Sequence, residues 1–194
     1  MMVHHTSGGS CKTTEACKKL IKKIETYEMT EQHAKEILSH FFIGGDGQIY
    51  EGRGWYYPDE YIPGKGLSLS ISFIGDYNKH DAPANMLEAF DKFAQCFMKK
   101  VSGYCNHIFS VHSDHRCTDC PGSHLKAQLK KMKYYDRSKN TRPCERHKAY
   151  VQHFYSDYKD SVHRTNFKYS AKATHKRIFH KLESSNTKNL YTKA

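Results

Sequence analysis

Ser68-Leu-Ser-Ile-Ser-Phe-Ile-Gly75 is the stretch that decides the fold. Its alternation sends Leu69, Ile71 and Phe73 to one face and the serines to the other, which is the period of a β-strand and makes this a central strand candidate. Toward the C-terminus, Pro83 can open a helix whose Met86, Phe90, Phe93, Ala94, Phe97 and Val101 share one apolar face, read as core. Ile108 to Val111 then returns as a strand that delivers His112. Leu125, Leu129 and Met132 mark a last short helix ending near Tyr135. Toward the N-terminus, the β-prone runs Ser39–Ile43 and Gln48–Gly52 flank Gly44-Gly45-Asp46-Gly47, a hairpin signal because glycine supplies the positive φ such turns need. Before it, Thr13 or Thr14 can cap a helix with Ala16, Leu20, Ile21, Ile24 and Tyr27 on its apolar face. Met1 to Thr6 reads as a strand with His4 and Thr6 on one face and His5 on the other. The order strand, helix, hairpin, strand, helix, strand, helix defines an α/β domain with a single central mixed β-sheet and helices on both sides.

At 194 residues the chain suits one such domain plus an appendage. The net charge of +11 would ordinarily point to nucleic acid. Its distribution argues otherwise: residues 137–194 hold 14 Lys and Arg against 4 Asp and Glu, net +10, which leaves 17 against 16, net +1, in residues 1–136. The domain is therefore assigned to 1–136 and a basic tail to 137–194. That tail mixes lysines, arginines, histidines and aromatics with few aliphatics and no sustained period, and is expected to be disordered or weakly helical. Such a charge run suits anionic cell-wall polymers or lipids through simple electrostatics better than it suits nucleic acid. Seven cysteines are many for a cytosolic domain and an odd number for a fully paired secreted one, which fits one thiolate kept for a metal. Cys11 and Cys17, six residues apart across a turn, could bridge in an oxidising compartment. The opening Met-Met-Val-His-His shows no signal peptide, and no stretch of the chain reads as transmembrane.

The chemistry concentrates in Val111-His-Ser-Asp-His-Arg-Cys-Thr-Asp-Cys-Pro-Gly122, where His112, His115, Cys117 and Cys120 fall within nine positions. Imidazole and thiolate are the ligands zinc prefers. Three readings stand open on these residues alone. All four could close a structural zinc knot; some could bind with a ligand from elsewhere and leave a position open for water; or the cysteines could form disulfides in a surface loop.

Taken together, Val3-His4-His5-Thr6, the pair Cys11 and Cys17, Phe42-Ile-Gly-Gly-Asp-Gly-Gln-Ile-Tyr-Glu-Gly-Arg-Gly-Trp55, Ser68–Gly75, and His112 with Thr118 and Cys120-Pro-Gly122 resemble the peptidoglycan recognition proteins. These are the animal branch of the zinc-dependent N-acetylmuramoyl-L-alanine amidases. The resemblance covers about residues 3 to 135 and none of the tail. It implies a zinc ion held by His4, His112 and Cys120, and a Thr118 that helps to stabilise an oxyanion. It further implies muropeptides of bacterial peptidoglycan as partners, a role in innate immunity, and a secreted, extracellular protein. His115 and Cys117 lie outside the implied ligand set.

The departures from the family pattern are specific. Catalytic members carry Tyr before the glycine turn, where this chain reads Ser39-His40-Phe41. Ser39 is too short to reach the same place, and His40 is expected on the opposite face of the strand. The two-residue step tied to diaminopimelate or lysine stems falls on His33-Ala34 and matches neither version, while Asp59-Glu60-Tyr61 replaces the usual groove wall. The expected activity is thus a slow amidase, with a non-catalytic peptidoglycan receptor or decoy as the alternative. The family also has a signal peptide and about thirty residues before the His-His strand, so the chain is expected to be N-terminally incomplete. In some relatives Cys96 pairs with a cysteine of that region, which leaves Cys96 to Cys105 or to no partner.

Overall fold

The computed structural model describes residues 1–55, 57, 68–101, 109–138 and 192–193. In chain order they form β1 (Met2–His5), α1 (Thr14–Thr30), β2 (Phe41–Ile43), β3 (Ile49–Glu51), β4 (Ser70–Phe73), α2 (Ala84–Val101), β5 (Ser110–Val111), a single 3-10 turn (His112–Asp114), α3 (Ser123–Leu129) and β6 (Thr192–Lys193). The strands make one mixed sheet in the order β5-β1-β4-β2-β3-β6. β1 runs parallel to both β4 and β5, and β2 runs parallel to β4 but antiparallel to β3. At the far edge β6 pairs with Tyr50 and Glu51 of β3, so the described end of the basic tail touches the sheet.

Alternation along the strands sends the two faces of the sheet into different environments. Val3, Phe41, Ile43, Ile71 and Phe73 meet Met86, Phe90 and Phe93 of α2 and Leu125 and Leu129 of α3 in the larger core. Aromatic rings dominate it: Trp55 stacks on Phe93 with centroids 5.6 Å apart, and Phe90 meets Phe109 edge to face at 4.8 Å. On the other face Phe42, Tyr50 and Ile74 pack against Cys17 and Ile21 of α1 in a smaller core. Helices therefore cover both sides of the sheet, as the element order predicted.

The face of α1 is the main correction to the helical reading. Cys17, Ile21 and Glu28 are the buried positions, Leu20 and Ile24 are half-buried, and the expected Ala16 and Tyr27 are exposed. The reason lies at both ends. Thr13 caps the helix by accepting from the Ala16 N–H at 3.3 Å, while the Cys11–Cys17 disulfide pulls the first turn toward the sheet. At the far end the Glu28 carboxylate accepts the Leu38 N–H at 2.7 Å, so its burial is compensated by a backbone donor. α3 is shorter than expected, ending at Leu129. Tyr135 lies beyond it and bridges to Phe109. Ile108 and the side chain of Val101 lie outside the described residues.

The disulfide, the glycine hairpin and α1 are one unit. A β-carbon on Gly45 would collide with the Cys11 carbonyl oxygen, so only glycine lets the β2–β3 turn lie against the disulfide loop. Asp46 in that turn accepts from Tyr50 Oη at 2.5 Å and from Thr14 Oγ1 at 3.1 Å, tying the hairpin to the start of α1. Replacing Cys11 and Cys17 together by alanine is expected to cost about 2–3 kcal/mol, the scale of closing a short loop in the unfolded chain. Thermal denaturation read by circular dichroism checks it. A shift no larger than that of an exposed substitution would show that the hairpin contacts alone hold α1.

Candidate metal centre

Three of the residues expected at the site converge. His4 leaves β1 on the face opposite Val3, His112 follows directly after β5 in the 3-10 turn, and Cys120 returns on the loop before α3. The parallel register Val3↔Val111 sets the next residue of each strand side by side. The His4 and His112 rings accordingly lie 4.6 Å apart, and Cys120 Sγ is 3.6 Å from His4 Nδ1. One ligand atom from each of the three lies within 4.8 Å of the others. Zinc bond lengths of about 2.0–2.1 Å to nitrogen and 2.3 Å to sulfur place the ligands of a tetrahedron roughly 3.3–3.6 Å apart, so this donor set has the chemistry for zinc and would draw together by up to about 1 Å on binding it. Two imidazoles and one thiol also leave the fourth position of such a tetrahedron to solvent or substrate.

Burial sets the protonation of these groups. Desolvation first, then the neighbouring His112, His5, His40 and His115, holds His4 well below the usual imidazole range. His112 is pushed down to about 4 by burial, with Arg116 and His115 adding to it. Both rings are therefore neutral at physiological pH, the form that binds a metal. Burial pushes the Cys120 thiol up to about 11, so a metal would have to displace its proton.

The four-ligand knot does not form. Cys117 is exposed and disulfide-bonded, so it has no thiolate to offer. His115 Nε2 sits 2.7 Å from Ser110 Oγ, turned to the strand. Cys120 and Cys96 are the free thiols among the described residues. Cys105, Cys144 and Asp59-Glu60-Tyr61 lie outside the described residues.

The other expected residues take these places. Thr118 is half-buried and its Oγ1 accepts the Cys120 N–H at 3.2 Å, which uses a lone pair and leaves its hydroxyl proton as a donor. Ser39 is buried with Oγ 2.7 Å from Ser72 Oγ. His40 does not take the opposite face: its Nδ1 lies 2.7 Å from Ser70 Oγ, so Ser39 and His40 both reach the serine side of β4. The simple alternation fails because regular pairing of β2 begins only at Phe41, while the Gly52 and Gly54 N–H groups both donate to the His40 carbonyl. A carbonyl only accepts and a backbone N–H only donates; Tyr57 O at 2.7 Å and Ser70 N at 3.0 Å therefore fix His40 as the Nε2–H tautomer. His5, on the far face, is buried and accepts the Tyr77 N–H on Nδ1 at 3.2 Å, a supporting role that the strand pattern did not reveal. His33 is exposed in left-handed backbone, φ 55°, in the loop between α1 and β2.

A mixed sheet with two histidines and a cysteine gathered beside β1 and β5 is the arrangement of the amidase-like fold, and comparison with known proteins places the chain in that class. Residues 1–123 match the N-acetylmuramoyl-L-alanine amidase family. Peptidoglycan-recognition protein SC1a of Drosophila melanogaster is 32% identical over 128 residues, covering 64% of this chain and 68% of that protein. Among solved structures, human PGRP-IBETAC in complex with glycosamyl muramyl pentapeptide superposes with a TM-score of 0.66 at 29% identity, over 70% of this chain and 84% of that one. The ectodomain complex of PGRP-LCa and PGRP-LCx bound to tracheal cytotoxin gives 0.65 at 28% identity, over 70% and 82%. The chain belongs to the peptidoglycan recognition protein family.

The loop carrying Cys120 depends on a glycine. Gly122 has φ 95°, and a β-carbon there would collide with the Tyr77 carbonyl, whose oxygen accepts the His124 N–H at 3.1 Å. Gly122→Ala combines a backbone penalty of about 1–3 kcal/mol with that clash. It is expected to lower the melting temperature, and hydrogen exchange should rise first at Gly122–Lys126. Unchanged exchange there would show that the loop absorbs the methyl group.

Proposed function

We propose that this protein recognises peptidoglycan in innate immunity and hydrolyses, slowly and with zinc, the amide between N-acetylmuramic acid and the L-alanine of the stem peptide. The observation that carries the reading is the convergence of His4, His112 and Cys120 from three separate segments. It is supported by family membership and by the muramyl pentapeptide named with the human relative. Zinc bound there would supply a Lewis acid that polarises a carbonyl and brings the ionisation of water toward neutral pH. His4 and His112 contribute as neutral nitrogen donors, and Cys120 as the ligand that gives up a proton. Thr118, anchored through the Cys120 N–H, would donate its hydroxyl proton to the oxyanion that develops on the scissile carbonyl. The disulfides at Cys11–Cys17 and at Cys117 support an oxidising, extracellular setting.

One observation favours the second reading, a peptidoglycan-binding receptor or decoy without catalysis. Ser39 stands where catalytic relatives carry tyrosine, and its hydroxyl is engaged with Ser72 on the floor of the site. Losing one donor aimed at a developing charge typically costs about a hundredfold to a thousandfold in turnover.

Two experiments test these readings. Cys120→Ser is expected to lose zinc measured by mass spectrometry after dialysis, whereas Cys117→Ser and His115→Ala retain it. Equal loss in all three would restore the structural knot. Ser39→Tyr is expected to raise muramyl-peptide cleavage at least tenfold at unchanged zinc occupancy, and binding should change little. If neither form cleaves while both bind, the receptor reading is correct.

A further inference from the structure

Next to the three ligands lies a buried polar cluster that none of the proposed chemistry uses. Asp114, in the 3-10 turn that begins at His112, has a side chain only 1% exposed. Its Oδ2 accepts the Val111 N–H at 3.1 Å and the Tyr135 hydroxyl at 2.6 Å, and its Oδ1 pairs with Lys126 Nζ at 3.0 Å. Lys126, from α3, also donates to Ser113 Oγ at 3.0 Å. The Ser113 N–H in turn donates to the Cys120 carbonyl at 2.9 Å. The cluster thus grips the residue before His112 and the residue after it, and through Ser113 reaches the backbone of Cys120.

The juxtaposition is specific. His112 and Cys120 are eight positions apart, yet their backbones are joined across Ser113 and both segments lean on α3. A buried ion pair is costly to desolvate and seldom raises stability over an apolar pair of the same volume, so its retention here calls for a geometric role. Ligand groups must be held within about half an ångström of their working positions, and supports of this kind typically change metal affinity by about 10- to 100-fold when lost. We propose that Asp114 and Lys126, with Ser113 and Tyr135, are positioning residues that hold His112 and Cys120 at the separation a metal requires. The inference rests on the metal reading of His4, His112 and Cys120.

The test uses the full chain with Asp114→Asn, Lys126→Met and Ser113→Ala. Ile37→Val, a buried change away from the cluster, serves as a control for general destabilisation. Zinc affinity is measured by competition with a chromophoric chelator, and site geometry by the absorption bands of the cobalt(II)-loaded protein. The expected result is a loss of affinity of about 10- to 100-fold for Asp114→Asn and Lys126→Met, with shifted cobalt bands. Ser113→Ala should lose less, and Ile37→Val should keep both affinity and spectrum. Ser113→Ala keeps the ion pair, so it remains readable if the other variants fail to fold; an unchanged affinity and cobalt spectrum in it would then overturn the proposal. If all three variants melt lower yet bind zinc with the parent's affinity and spectrum, the cluster is a fold support only and the proposal falls. If the parent chain itself takes up neither zinc nor cobalt, the metal reading fails and this inference with it.

Discussion

The structure turns on the parallel register of β1 between β4 and β5. Met2 and Val3 lie opposite Ser110 and Val111 on one side and Ser70 and Ile71 on the other, so a four-residue strand in mid-sheet fixes where His4 points. A slip of one residue would turn Val3 out of the larger core and His4 into it, an exchange of a fully buried valine for an imidazole that the aromatic face cannot solvate. The apolar preference of Val3, Ile71 and Val111 therefore specifies the polar geometry on the other face. Core packing and the meeting of His4 with His112 are two consequences of one register.

The two faces divide the work. The α2 and α3 side carries the ring contacts of Phe41, Trp55, Phe73, Phe90, Phe93 and Phe109, where most of the apolar burial lies. The opposite face holds a smaller apolar cluster stapled by the disulfide and, beside it, a polar floor of Ser39, His40, Ser70 and Ser72. Buried hydroxyls and an imidazole are tolerable there because they satisfy one another at 2.7 Å and bond to backbone groups. With stability concentrated on one side, the other can keep groups chosen for chemistry.

How much of this was legible in the sequence follows from the range of each signal. Alternation in Leu69–Phe73 and the apolar row from Met86 to Ala94 act over a few residues, and both faces came out as read. The face of α1 did not, because a disulfide at its start and a buried Glu28 at its end override the apolar count. Ser39 escaped alternation, joining His40 on the serine side, because regular pairing of β2 begins only at Phe41. The candidate ligand set is another matter: 116 positions separate His4 from Cys120, so no local spacing could choose between a knot at His112–Cys120 and a site completed by β1. Only the resemblance supplied His4. The state of Cys117 removed the knot. Asp114 and Lys126 gave no signal at all, since an aspartate and a lysine twelve apart look like any solvated pair until the turn folds.

The protonation of the site shows what its burial costs. Two imidazoles held neutral by burial and a thiol held protonated are each in the state that costs least in a dry pocket, yet a valine or leucine in their place would cost still less. Their closeness adds little to stability: the neighbouring His112 ring lowers the tendency of His4 to charge, and a thiol 3.6 Å from an imidazole is a weak partner. On the proposed zinc reading, an ion that draws on all three donors together would supply the gain that offsets this burial. Ser39 bears on the proposed catalysis rather than on metal binding, since it fills the place of a longer hydroxyl with a shorter one tied to Ser72. The three donors and the neighbouring hydroxyl answer separate requirements, and a chain can keep the first in full while relaxing the second.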